Sequence, residues 1–92
     1  MKTNLSNIDK KKLRKKAHRL KPVVMIGQHG LTDSVLAEMD LALNAHELIK
    51  VRVRGVGKSE RAEQSTQIER QLNAQVVHQI GGIIVLYRLA IN

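Results

Sequence analysis

The chain has 92 residues, the size of one small domain, which excludes a multidomain enzyme with separate cofactor and substrate lobes. Apolar residues make up 42 % of it, and a chain this short buries about 60 to 65 % of its unfolded surface, so a single domain with one modest core is expected. Sixteen Lys and Arg stand against eight Asp and Glu, a net charge of +8, which points to a polyanionic partner and to nucleic acid first.

The basic character is local. Residues 1–21 hold nine basic side chains and one acidic one, Asp9, while the remaining residues balance at seven of each sign. This is the pattern of an electrostatic contact site. The segment is also written as a helix. Ser6 and Asp9 form a capping-box-like start, Leu13, Ala17 and Leu20 recur at i, i+4 and i+7, and Pro22 stops the run. The apolar positions fall within roughly a 60° arc. Lys10, Lys11, Lys12, Arg14, Lys15, Lys16 and Arg19 cover the rest of the surface, with Lys21 at its end. The apolar face is narrow and lacks Trp and Phe, which argues against a membrane-lying helix.

Val23 to Ile26 is a short apolar run ending at Gly27, which suits a strand buried on both faces or a strand of a small mixed sheet. A second helix follows: Thr32 stands as N-cap, Asp33 lies in the first turn, and Val35, Leu36, Met39, Ala42 and Leu43 make the stripe to about Ala45. Leu48 to Arg54 alternates, with Ile49, Val51 and Val53 on one face and Lys50, Arg52 and Arg54 on the other, as a half-buried strand does. Gly55 and Gly57 break it. Ser59 is the expected cap of a third helix, whose thinner stripe is Ala62, Ser65, Ile68 and Leu72. Gln75 to Ile80 and Ile83 to Arg88 read as a hairpin joined by Gly81-Gly82, since a two-residue turn needs positive φ. The last strand is apolar enough to be central.

The order αβαβαββ predicts a small two-layer α/β domain with a four-stranded mixed sheet. Each strand-helix-strand unit is expected to cross over right-handed into parallel neighbours. Flexible ends are expected at Met1 to Leu5 and after Leu89.

Catalytic signals are missing. Without cysteine there is no disulfide, thiolate zinc site or cysteine nucleophile. His18, His29, His46 and His78 fall on separate predicted elements with no metal-ligand spacing. Gly55-Val56-Gly57-Lys58-Ser59 invites a phosphate-loop reading but fails on spacing: Arg52 and Glu60 stand where the needed glycines would be. What survives of it is a helix N-terminus beside Lys58 and Arg61 that a phosphate can approach. Tyr87 is the one aromatic residue, so an exposed sheet stacking two or more bases is excluded and the ring is expected in the core or at its rim. No apolar leader and no apolar run long enough to span a bilayer is present. The reading is therefore a non-enzyme of the cytoplasm with no cofactor, metal, membrane or small-molecule substrate. Gly27-Gln28-His29-Gly30 remains, a G-x-x-G between strand and helix, where glycine lets backbone approach phosphates. On its own it is equally an ordinary turn.

Taken together, Ala17-His18-Arg19-Leu20-Lys21-Pro22-Val23-Val24, Ile26-Gly27-x-x-Gly30-Leu31-Thr32, His46-Glu47-Leu48-Ile49-Lys50-Val51 and Leu86-Tyr87-Arg88 resemble the CRM domain, named for chloroplast RNA splicing and ribosome maturation. The likeness spans about residues 5–89 and is greatest to its stand-alone bacterial, YhbY-type form. It implies a fold similar to the C-terminal domain of bacterial translation initiation factor 3 and a KH-like, non-catalytic RNA contact. It further implies association with precursors of the large ribosomal subunit. The family's loop maps onto Gly27, Gln28, His29 and Gly30, and its basic helix onto Lys10, Lys11, Arg14, Lys15, Lys16, Arg19 and Lys21. Lys50, Arg52 and Arg54 are expected to extend the surface if their sheet face is open. Many members carry a basic residue between the glycines; Gln28 and His29 stand here, which argues against a direct ion pair from the loop and leaves backbone N–H donors and a His29 contact. The rival expectation is a basic module that docks an acidic protein and meets RNA incidentally. Oligomeric state is not legible.

Overall fold

The computed structural model describes residues 5–89. Of the expected flexible ends, residues 1–4 and 90–92 lie outside that range, while Leu5 itself packs against the sheet.

Helix α1 (Asn7–Ala17) starts with the anticipated reciprocal cap: the Asp9 N–H donates to Ser6 Oγ (3.1 Å) and the Ser6 N–H to Asp9 Oδ2 (3.3 Å). It stops at Ala17, short of the expected run through Leu20. His18, Arg19 and Leu20 instead donate to carbonyls three residues back, a tightened last turn. Pro22 disfavours helical backbone at Lys21, so the chain must straighten earlier, and Leu20 leaves the apolar stripe exposed.

Strand β1 (Pro22–Ile26) buries Val24 and Ile26 and leaves Val23 and Met25 about half exposed. It is an edge strand with one buried face, so the doubly buried alternative is ruled out. Helix α2 (Asp33–His46) is capped by Thr32 Oγ1, which accepts the Val35 N–H at 3.1 Å. Strand β2 (Leu48–Val53) alternates as expected, with Ile49, Val51 and Val53 buried. Helix α3 (Lys58–Leu72) is capped by Gly57 and not by Ser59, which sits within its first turn. Ala62 is exposed, and the buried face is Gln64, Ser65 and Ile68. The Ser65 hydroxyl bridges the Arg61 carbonyl (3.1 Å) and Gln79 Oε1 (2.9 Å).

Strands β3 (Gln75–Ile80) and β4 (Ile83–Tyr87) form the hairpin. Of the two turn glycines, Gly81 alone has positive φ (53°). Gly82 is glycine for another reason: a Cβ there would lie 2.7 Å from the Val53 carbonyl oxygen. The Gly82 carbonyl accepts the Val53 N–H, also at 2.7 Å, so this close approach seats the hairpin against β2.

The sheet order is β1-β2-β4-β3, with β1 and β2 parallel and both other pairings antiparallel. The unit β2-α3-β3 therefore does not produce neighbours, contrary to expectation. β4 inserts between its strands because Ile84, Val85 and Leu86 are apolar on both faces, whereas β3 carries Gln75, His78 and Gln79 and tolerates an edge. Helices α2 and α3 cover one face around Met39, Leu43, Ile68, Ile26, Ile49 and Leu86. Helix α1 lies on the other over a smaller cluster of Ala17, Val77 and Val85 with Leu13, Leu48 and Tyr87 at its margin. The anticipated sheet-plus-helix body thus gains a partial third layer that leaves part of one sheet face open.

Arg88 ties the far end together. Its guanidinium donates to Asp40 Oδ1 (2.8 Å), the Leu72 carbonyl (2.8 Å), the Asp40 carbonyl (3.1 Å) and Asn44 Oδ1 (2.9 Å). One side chain thereby joins the end of β4 to α2 and to the C-terminus of α3.

Candidate nucleic-acid interface

Helix α1 turns its narrow apolar edge to the sheet, so Lys11, Arg14, Lys15 and Lys16 are exposed and Lys10 is half-buried. Arg19 and Lys21 are exposed in the turn that follows. Asp9, the acidic residue of this segment, is engaged in the cap.

The G-x-x-G loop closes on itself. The Gly30 N–H donates to the Gly27 carbonyl and the Thr32 N–H to the Gly30 carbonyl, both at 3.0 Å, and Gln28 and His29 stand exposed at the tip. Gly30 has φ +73°, a conformation glycine adopts without penalty. Gly27 differs. Its φ is not positive, and a Cβ would meet nothing within 4 Å, so the fold itself makes no demand for glycine there. The bare backbone faces open space at the start of the loop.

Strand register joins these parts. Across the face toward α1, Met25 is opposite Arg52, Arg52 opposite Ile83, and Ile83 opposite Ile80. One row further on, Lys50 is opposite Val85 and Val85 opposite His78. Arg14, His18, Lys50 and His78 line one recess between α1 and the sheet. Arg54 follows β2, and its N–H donates to the Ile26 carbonyl at 3.0 Å, which sets it beside Gly27. A cationic path therefore runs from Arg14 through Lys50, Arg52 and Arg54 to the loop. Lys10 and Lys11 lie off it on the N-terminal half of α1, and Lys16 and Lys21 border a separate cleft.

Of the phosphate contact anticipated at α3, Arg61 is redirected: its Nη1 donates to the Val56 carbonyl at 3.0 Å. His18 and His78 share the recess, but among the described residues no group of three or more His, Asp or Glu is placed to hold a metal ion. No helix among them is long and apolar enough to cross a membrane.

The profile of the CRS1 / YhbY (CRM) domain matches residues 5–88. The chain belongs to the CRM family. It is 49 % identical over 86 residues to an RNA-binding protein of Haemophilus influenzae, covering 94 % of this chain and 87 % of the other. It is 37 % identical to a probable RNA-binding protein of Pseudomonas aeruginosa, covering 91 % and 81 %. Among solved structures, a hypothetical protein of Staphylococcus aureus whose own description proposes RNA binding superposes with a TM-score of 0.85. That match has 29 % identity and covers 97 % of this chain and 93 % of the other.

Two residues of this CRM domain escaped sequence reasoning. Gln64 on α3 is buried beneath the G-x-x-G loop, its Nε2 3.8 Å from where a Gly30 Cβ would be. Its place between Arg61 and Ile68 at helical spacing was the available signal. Arg88 was read only as part of a family motif. Its partners Asp40 and Leu72 are distant in sequence, and no local pattern reveals them.

Proposed function

We propose that this CRM protein binds structured RNA without catalysing a reaction, and that its target is ribosomal RNA in precursors of the large subunit, whose assembly it assists in the cytoplasm. Family membership supports RNA binding without catalysis. The observation that carries the reading is Gly27, a glycine that neither φ nor packing requires, standing where the cationic path of β2 reaches the loop. A phosphate can approach backbone there without meeting a side chain. Gly27 to Gly30 supply the close contact. Lys10, Lys11, Arg14, Lys15, Lys16, Arg19 and Lys21, with Lys50 and Arg52, supply charge along the sugar-phosphate backbone.

The test has two arms. With roughly five to eight phosphates neutralised, the logarithm of the affinity for a large-subunit ribosomal RNA fragment should fall against log salt with a slope of about −3.5 to −7. A flat response overturns the electrostatic mechanism. In cells, crosslinking and sequencing of the attached RNA should give a discrete peak in large-subunit RNA that is lost when Lys11, Arg14 and Lys15 are replaced by Ala. Reads spread over all RNA, together with a protein partner that survives nuclease treatment in a pull-down, overturn the ribosomal reading in favour of an acidic protein partner.

A further inference from the structure

A second concavity of about 490 Å³ lies between α1, the turn after it, β1 and the α2-β2 corner, on the opposite flank of α1 from Arg14. Its floor is apolar: Leu13, Leu20, Val23, Leu48 and the ring of Tyr87. Val23 is 51 % exposed and Leu20 36 %, so part of this apolar surface stands in water. The rim is cationic, with Lys16, Lys21 and Lys50 around the mouth and Glu47 as the one acidic residue of the lining. The volume falls within the roughly 300 to 1,000 Å³ of small-ligand sites.

The complementary occupant is flat and apolar in one part and anionic in another. An apolar peptide side chain without flanking carboxylates would satisfy the floor but bring no anion to three lysines that share one Glu47. A nucleobase with its flanking phosphates satisfies both. Tyr87, the one aromatic residue of the chain, lines this cleft, partly buried against the smaller cluster and outside the larger core, and an aromatic face is where an unstacked base gains most. The wall beside it is also unusual. Glu47, a non-glycine residue, holds φ 63° and ψ −43°, fixed by its N–H donating to the Leu43 carbonyl and its own carbonyl accepting the Arg88 N–H, both at 2.9 Å. Strained backbone that the surroundings hold in place gathers at ligand sites.

We propose that this cleft receives one unpaired base of the bound RNA, with the adjoining phosphates on Lys16, Lys21 and Lys50. The inference rests on the RNA reading above and adds to it a preference for RNA with an extruded base. It differs from the multi-aromatic stacking sheet that composition excludes, because one ring and an apolar slot suffice for one base.

Because the chain has one Tyr and no Trp, its intrinsic emission reports on Tyr87 alone. The full chain is titrated with an RNA hairpin whose loop is oligoadenylate and with the same hairpin carrying abasic sugars in the loop. Both should bind, the intact loop about tenfold more tightly, within the range of a single base-aromatic stack, and only the intact loop should quench Tyr87. Val23→Asp, or Leu20→Asp where the strand does not accept the first change, should erase both differences and leave the affinity for the abasic hairpin unchanged or lower. Equal affinity and equal emission for the two hairpins overturn the proposal. If neither hairpin binds, the RNA reading itself is overturned, a separate result.

Discussion

Gly27 and Gly30 are glycines for opposite reasons, and substitution separates them. Gly30 holds φ +73°, so Gly30→Ala should cost about 1 to 2 kcal/mol in a urea denaturation curve. Gly27 meets no neighbour and has no positive φ. Gly27→Ala should therefore leave stability unchanged or raise it by up to about 1 kcal/mol through the unfolded chain, while weakening RNA binding by gel shift. If Gly27→Ala binds RNA as well as the parent, the loop is only a turn. Arg88 belongs to the opposite class. Of its four hydrogen bonds, the three to the Asp40 carboxylate, the Asp40 carbonyl and the Leu72 carbonyl are partly buried and the one to Asn44 is exposed, and loss of a charged group bonded in this way costs about 1.5 to 3 kcal/mol. Arg88→Ala should lower the melting temperature substantially yet leave the affinity of the folded fraction for RNA intact. Neither behaviour was legible locally, because one depends on empty space and the other on partners 16 and 48 residues away in sequence.

Helix α1 combines a sound cap with a small anchor. Its contact with the sheet rests on Ala17 and the margin residues Leu13 and Leu5, whereas α2 places Met39 and Leu43 in the main core. Ser6→Ala removes the reciprocal cap and should cost about 1 kcal/mol, seen first as faster hydrogen exchange in the amides of α1 while those of α2 stay protected. The triple change of Lys11, Arg14 and Lys15 to Ala alters only exposed charge on this helix. It should leave the denaturation midpoint nearly fixed and reduce the magnitude of the RNA salt slope by roughly two to three. Elements with strong periodicity, α2 and β2, were legible nearly to the residue. The end of α1 was not, since Leu20 continues the helical spacing but Pro22 restricts Lys21, the residue before it, and the helix ends ahead of both. The cap of α3 was also misassigned: Ser59 has the right chemistry, but Gly57 supplies the extended backbone (φ −81°, ψ 179°) at the turn.

For the whole molecule, composition disclosed the class of partner and the element order disclosed the α/β sheet, but neither disclosed how the charges meet. The path from Arg14 to Arg54 exists only because Lys50 and Arg52 share the sheet face over which α1 lies, and that follows from register and layer, which are long-range properties. The same holds for the cleft beside Tyr87, whose walls come from three separate stretches of chain, 13–23, 46–50 and Tyr87. Topology was the least legible feature, since local pattern assigns a strand its faces but not its neighbours.

The strand order carries a last consequence, for synthesis. β2 and β3 have no partner in common until β4 is laid between them, so the sheet cannot close while residues 83–87 are still inside the exit tunnel of a translating ribosome. Until then the strands that flank β4 emerge without Ile84 and Leu86, which complete the larger core. An arrested nascent chain ending before β4 should therefore be protease-sensitive, where one extended past the tunnel should not.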